Sequence, residues 1–129
     1  MRFNKLKIFA EKLLFDADAV FKEIKSKRKN RTPVDLVISF LRESSILFDA
    51  YANAANRYAK MYPEFMAEIT RIGCFCRTVA EVIRDRAKTM EIAPTNFVTG
   101  LDVILTRVEG QMVLIHKTCL GIIADINKL

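Results

Sequence analysis

Apolar side chains recur every three or four residues along almost the whole chain. Leu6, Phe9, Leu13, Ala17, Val20 and Ile24 form the first stripe. Val37, Phe40, Leu41, Leu47, Phe48, Tyr51, Ala54, Ala55 and Tyr58 form the second, with Asp35, Arg42, Asp49, Asn53, Asn56 and Lys60 on the opposite side. Ile69, Ile72, Gly73, Cys76, Val79, Ala80, Ile83, Ala87 and Met90 form the third. Leu101, Ile104, Leu105, Val108, Met112, Ile115, Cys119, Ile122 and Ile126 form the fourth. This is the period of a helix, and no comparable window alternates as a strand does.

The prolines at 33, 63 and 94 divide the chain at almost equal steps. Proline suits the first turn of a helix, where its missing N–H has no partner to lose. The pattern therefore predicts helices over about 3–29, 33–62, 63–90 and 94–128. Each is roughly 40 Å long at 1.5 Å per residue. Thr32 is the expected N-cap of the second, with Asp35 in its first turn. The fold class is all-α, an antiparallel up-down four-helix bundle, with residues 1–129 as a single domain. Asn53 and Asn56 lie among small residues that permit a close helix approach; they read either as polar surface or as groups that can bond across an interface.

The fourth helix is apolar almost all round. Val103, Gly110, Val113, Leu114, Leu120, Gly121 and Ile123 spread beyond its core stripe. A bundle helix has one outer face, so this excess predicts a subunit contact and a homo-oligomer.

Composition narrows the class. The 129 residues are 51% hydrophobic, enough for a core. No apolar run reaches the roughly 18 residues of a membrane span, and residues 1–11 do not read as a signal peptide. A cytoplasmic protein with no membrane association is expected. Cys74, Cys76 and Cys119 make an odd count, read as reduced, mostly buried thiols. A metal site would need Cys76, Cys119 and His116 to converge, and none is expected.

The net charge of +6 is unevenly placed. Residues 1–62 carry 13 cationic and 7 acidic side chains, and residues 63–129 carry 8 of each. Five of the seven residues from Lys25 to Arg31 are cationic: Lys25, Lys27, Arg28, Lys29 and Arg31. Cations complement the negative end of a helix dipole, but five exceed what capping requires. Three readings stand: a solvated basic tip, a phosphate-binding site, or a surface for an acidic protein. Arg42, Arg57, Arg77 and Arg84 are further nucleic-acid candidates. Glu81 and Asp85 lie where they can pair with Arg77 and Arg84.

Catalytic patterns are missing. His116 is the lone histidine, and no Glu-x-x-His pair, glycine-rich phosphate loop or Ser/His/Asp set occurs. No catalytic residue and no cofactor are expected, and the chain does not read as an enzyme.

Short segments resemble the four-helix bundle protein family, which includes rRNA intervening-sequence proteins and the accessory variability determinant of diversity-generating retroelements. Phe3-Asn-Lys-Leu-Lys-Ile-Phe9 resembles that family's opening, and Val20-Phe-Lys-Glu-Ile-Lys-Ser26 the end of its first helix. Leu41-Arg42, followed by Tyr51-Ala-Asn-Ala-Ala-Asn-Arg57, is similar to its second helix. Glu109-Gly110-Gln-Met112-Val-Leu-Ile115 resembles its closing Gly-x-Met pattern. Glu43 stands where the family has a second Arg, and Ala54-Ala55-Asn56 replaces an Ile-Ala-Glu-Gly stretch. The resemblance implies a basic, non-enzymatic bundle, a homo-oligomer with a pentamer favoured. In the retroelement branch it would bind a reverse transcriptase and RNA or cDNA. The function so reached is an accessory nucleic-acid-binding (RNA or DNA) protein. The rivals are a helical protein-interaction scaffold and a small subunit of a ribonucleoprotein effector.

Overall fold

A computed structural model describes residues 2–129, with Asn96 through its backbone alone. It contains four long helices, α1 (Asn4–Lys29), α2 (Val34–Met61), α3 (Met66–Ile92) and α4 (Phe97–Asn127), and no strand among the described residues. The architecture is a four-helix bundle.

The prolines mark the junctions in two ways. Pro63 and Pro94 open single 3-10 turns, Pro63–Phe65 and Pro94–Asn96, that lead into α3 and α4. Pro33 is itself the N-cap of α2, in an extended conformation (φ −51°, ψ 138°). Its carbonyl accepts the N–H groups of Leu36 and Val37 at 3.0 and 3.1 Å. Thr32 therefore falls outside the cap, and no side chain closes this helix end.

Contacts along the seams show that neighbouring helices run in opposite directions. From α1 to α2, Phe3 meets Tyr62 and Phe9 meets Tyr58, at ring-centroid distances of 5.7 and 4.9 Å. Farther along, Tyr51 donates its hydroxyl to Asp16. From α2 to α3, Ala55 faces Gly73 and Arg42 pairs with Glu91. Arg28 at the end of α1 pairs with Asp102 at the start of α4.

The seams differ in width because their side chains differ in size. Ala55 and the Ala52 carbonyl face Gly73 between α2 and α3, which approach most closely. A Cβ at Gly73 would lie 3.3 Å from the Ala55 Cβ, a tight contact that an added methyl meets only if Ala55 shifts by a few tenths of an ångström. Between α1 and α2 the rings of Phe9, Tyr51 and Tyr58 intervene, and the two backbones approach least of the adjacent pairs.

The core holds the predicted residues of α1 and α3, all buried. α2 is rotated further toward α3 than its stripe predicts. Ser44, Ser45, Ala52 and Ala59 are buried, while Phe40, Leu47, Ala54 and Tyr58 are half-buried. The two serine hydroxyls donate to the Phe40 and Arg42 carbonyls at 2.8 and 2.9 Å, so burial leaves neither unsatisfied. On α4, Leu105 and Met112 are likewise half-buried, whereas Ile104 and Ile115 are fully enclosed. Among the described residues, no helix is long and apolar enough to cross a membrane.

All three thiols are free. Cys74 is exposed, and Cys76 and Cys119 are buried. Burial pushes the Cys76 and Cys119 thiols from 9.0 up to about 12. Both stay neutral in the fold, so the stability this carries is fully present below about pH 9. It drains away as pH rises toward 12. A thiol reagent at pH 8 is expected to titrate one cysteine per native chain and three per unfolded chain. The denaturation midpoint should fall as pH rises above 9. Equal reactivity of all three thiols in the native state would contradict this packing.

Candidate nucleic-acid interface

The last turn of α1 carries Lys27, Arg28 and Lys29, beside the unpaired carbonyls of the helix end. Asn30 caps the helix, its N–H donating to the Ser26 carbonyl at 2.8 Å. Arg31 then adopts φ 48°, the only positive φ outside glycine among the described residues. The Thr32 N–H reaches back to the Lys27 carbonyl at 3.2 Å. This is the Schellman closure, in which the left-handed position normally holds glycine. An L side chain there is strained by about 1–2 kcal/mol. The chain thus keeps a cation where the backbone favours glycine. Arg31→Gly is expected to leave stability unchanged or raise it by up to ~1 kcal/mol, since glycine's extra unfolded-state entropy offsets part of the relief. Thermal melts measure this, and a clear loss would show that the Arg31 side chain holds the turn.

The tip cations differ in what they already touch. Lys25 lies 4.5 Å from the Phe21 ring centroid and has no acidic partner among the described residues. Lys27 lies 5.0 Å from the Phe40 ring and 3.3 Å from Glu23, and little of it is exposed. Arg28 makes a two-pronged pair with Asp102, which holds its guanidinium more firmly protonated than usual. Lys29 and Arg31 are exposed, with no acidic partner among the described residues. The part of the tip open to an incoming anion is therefore Lys25, Lys29 and Arg31.

The other candidates separate. Arg42 pairs with Glu91 near the same end of the bundle. Arg77 and Arg84 do not pair with Glu81 and Asp85 as the local spacing predicts. Both reach across the close α2–α3 seam to Asp49, at 2.8 and 2.7 Å. Arg77 also donates to Asn53 at 2.9 Å, so one of the two asparagines bonds across this seam. One half-buried carboxylate shared by two arginines is a clamp between helices, and it already offsets part of the charge a phosphate would meet. Arg57 lies in the α1–α2 groove and has no acidic partner among the described residues.

Two further arginines join the tip from other helices. Arg86 of α3 and Arg107 of α4 line a shallow depression of about 320 Å³ with Asp102, Thr99 and Thr106. Asp102 is the carboxylate that holds Arg28. No single-helix spacing reveals this grouping, because its members come from three helices.

His116 is exposed while Cys76 and Cys119 are buried, so these three do not converge. Among the described residues no three His, Cys, Asp or Glu side chains are grouped to hold a metal. Comparisons with protein-family models, with curated proteins and with solved structures return no match.

Proposed function

We propose that the protein is a non-enzymatic accessory factor that binds RNA or DNA through its basic tip. The observation that carries the reading is the cluster at the end of α1, where Lys25, Lys29 and Arg31 are uncommitted, one of them at a strained backbone position. Phosphate neutralisation by such groups releases counterions and gives affinity without reading bases. Arg28, held by Asp102, and its neighbours Arg86 and Arg107 widen the basic surface. The resemblance to the accessory variability determinant family motivates a reverse transcriptase as protein partner. The test is fluorescence anisotropy with labelled RNA and DNA of unrelated sequence at low salt. Binding of both, weakening steeply with salt, supports the proposal. An absence of binding at low salt overturns it and favours the protein-scaffold reading.

The same proposal includes a homo-oligomer of five chains. The outer face of α4, where Val113, Leu114 and Leu120 are exposed, supports a subunit contact, and the family resemblance motivates the number five. Nothing stands within 4 Å of a Cβ built at Gly110 or Gly121 on that helix. Light scattering on a sizing column should give about 74 kDa, five times the 14.8 kDa chain. A clean single-chain mass at micromolar concentration would contradict it.

A further inference from the structure

The α1–α2 seam leaves an open groove of about 470 Å³ on the side of the bundle. It runs from Lys5 to Asp16 on one wall and from Leu47 to Tyr58 on the other. Each wall spans eleven residue steps, or roughly 16 Å at 1.5 Å per residue. That is the length of three helical turns. The floor is apolar and aromatic: Phe9 and Tyr51 are buried, and Leu47, Ala54 and Tyr58 are half-buried. Small side chains at Ala50 and Ala54 keep the α2 wall low.

Apolar groups continue beyond the groove. Ile8 on its α1 wall is 61% exposed, Phe15 two turns farther along α1 74%, and Ile46 beside the α2 wall 69%. These side chains lie on α1 and α2, away from the apolar face of α4 that drew attention in the sequence. The rim is cationic. Lys5 and Lys12 stand seven residues apart on α1, so they share a face, and Arg57 stands on α2. None has an acidic partner among the described residues. The single acid of the groove, Asp16, accepts the Tyr51 hydroxyl.

We infer that this groove receives an amphipathic helix of a partner protein, apolar toward the floor and acidic along its flanks. Three features select that occupant. A trough between two parallel ridges fits a rod-shaped element that places side chains at every third and fourth position. A flat anionic membrane would touch the rims and leave the aromatic floor uncovered. The three rim cations call for carboxylates one heptad apart beside the apolar stripe. The inference stands on the groove alone and does not depend on nucleic-acid binding at the tip.

The experiment uses the full chain and a synthetic peptide of roughly 18 residues, long enough to cross the groove. Leucines occupy one face and glutamates flank them. Two companions share its design: a scrambled order of the same composition, and a version with lysine in place of glutamate. By fluorescence anisotropy the glutamate helix should bind at least about tenfold tighter than either companion. The double variant Lys5→Glu, Lys12→Glu should reverse the preference toward the lysine helix. Ala50→Glu, at an exposed wall position, should weaken the glutamate helix about tenfold. Amide-resonance shifts on peptide addition should concentrate in 5–16 and 47–58. The comparison of peptides on the unaltered protein holds even if a variant misfolds. Equal affinity for the scrambled peptide overturns the inference, as do resonance shifts centred on α4. Displacement of the bound peptide by phosphatidylglycerol vesicles or by an oligonucleotide also overturns it. So does a groove closed to the peptide because a second copy of the chain covers it.

Discussion

Phe48→Ala is expected to lower the unfolding free energy by about 3–5 kcal/mol. Phe48 is fully enclosed at the centre of α2 and is among the largest buried side chains. Its removal forfeits transfer energy and leaves a cavity into which the surrounding helices relax only in part. A domain of this size holds roughly 5–15 kcal/mol in all, so the variant should be marginal at ambient temperature. Ile115→Ala on α4 belongs to the same class, with a loss of about 2–5 kcal/mol. Leu105→Ala should cost less, under about 2 kcal/mol, because that side chain is only half-buried. Denaturant titrations rank the three. A loss below ~1 kcal/mol for Phe48→Ala, or Leu105→Ala as the worst of the set, would contradict the packing described.

The bundle was legible because its signals are local and repeated. A 3.6-residue stripe fixes a helix, and a proline every thirty or so residues marks where the next begins. The same signals could not set the rotation of α2. Phe40, Leu47 and Tyr58 look like core by size, yet Ser44, Ser45, Ala52 and Ala59 are the residues enclosed. Small side chains let α2 approach α3, and that approach turns the large ones toward α1. Thr32 read as a cap because a Thr-Pro pair is a familiar helix start. Its N–H is instead used in closing α1, and Pro33 opens α2 alone.

Charge was legible as a density and not as a pairing. The run from Lys25 to Arg31 is visible in the sequence, but Asp102, which holds Arg28, is more than seventy residues away. Arg77 and Arg84 have acids at convenient local spacing, and they choose Asp49 on another helix. Arg86 and Arg107 gather near the tip only through the packing of α3 against α4. The groove of Lys5, Lys12 and Arg57 was hidden for the same reason, since its two walls lie on different helices.

The proposed role of the tip is tested most directly by the salt dependence of binding. The variant to make is Lys25→Gln, Lys29→Gln, Arg31→Gln, which removes the uncommitted cations and spares Lys27, Arg28 and their partners. The fold should survive, since each of these exposed groups contributes at most ~1 kcal/mol through the helix dipole. If all three meet phosphates, the slope of log affinity against log salt should flatten by up to ~2.7 for duplex DNA, and by about 2 for single strands. Near 0.1 M salt the duplex figure corresponds to as much as a ~500-fold loss of affinity. The loss should be the same for unrelated sequences, because phosphate contacts carry no base information. Lys60→Gln, exposed in the last turn of α2 at the other end of the bundle, should leave the slope where it was. The measurement is an anisotropy titration of the unaltered chain and both variants over a series of salt concentrations. The account predicts a flattened slope in the triple variant alone; an identical slope in all three proteins would contradict it.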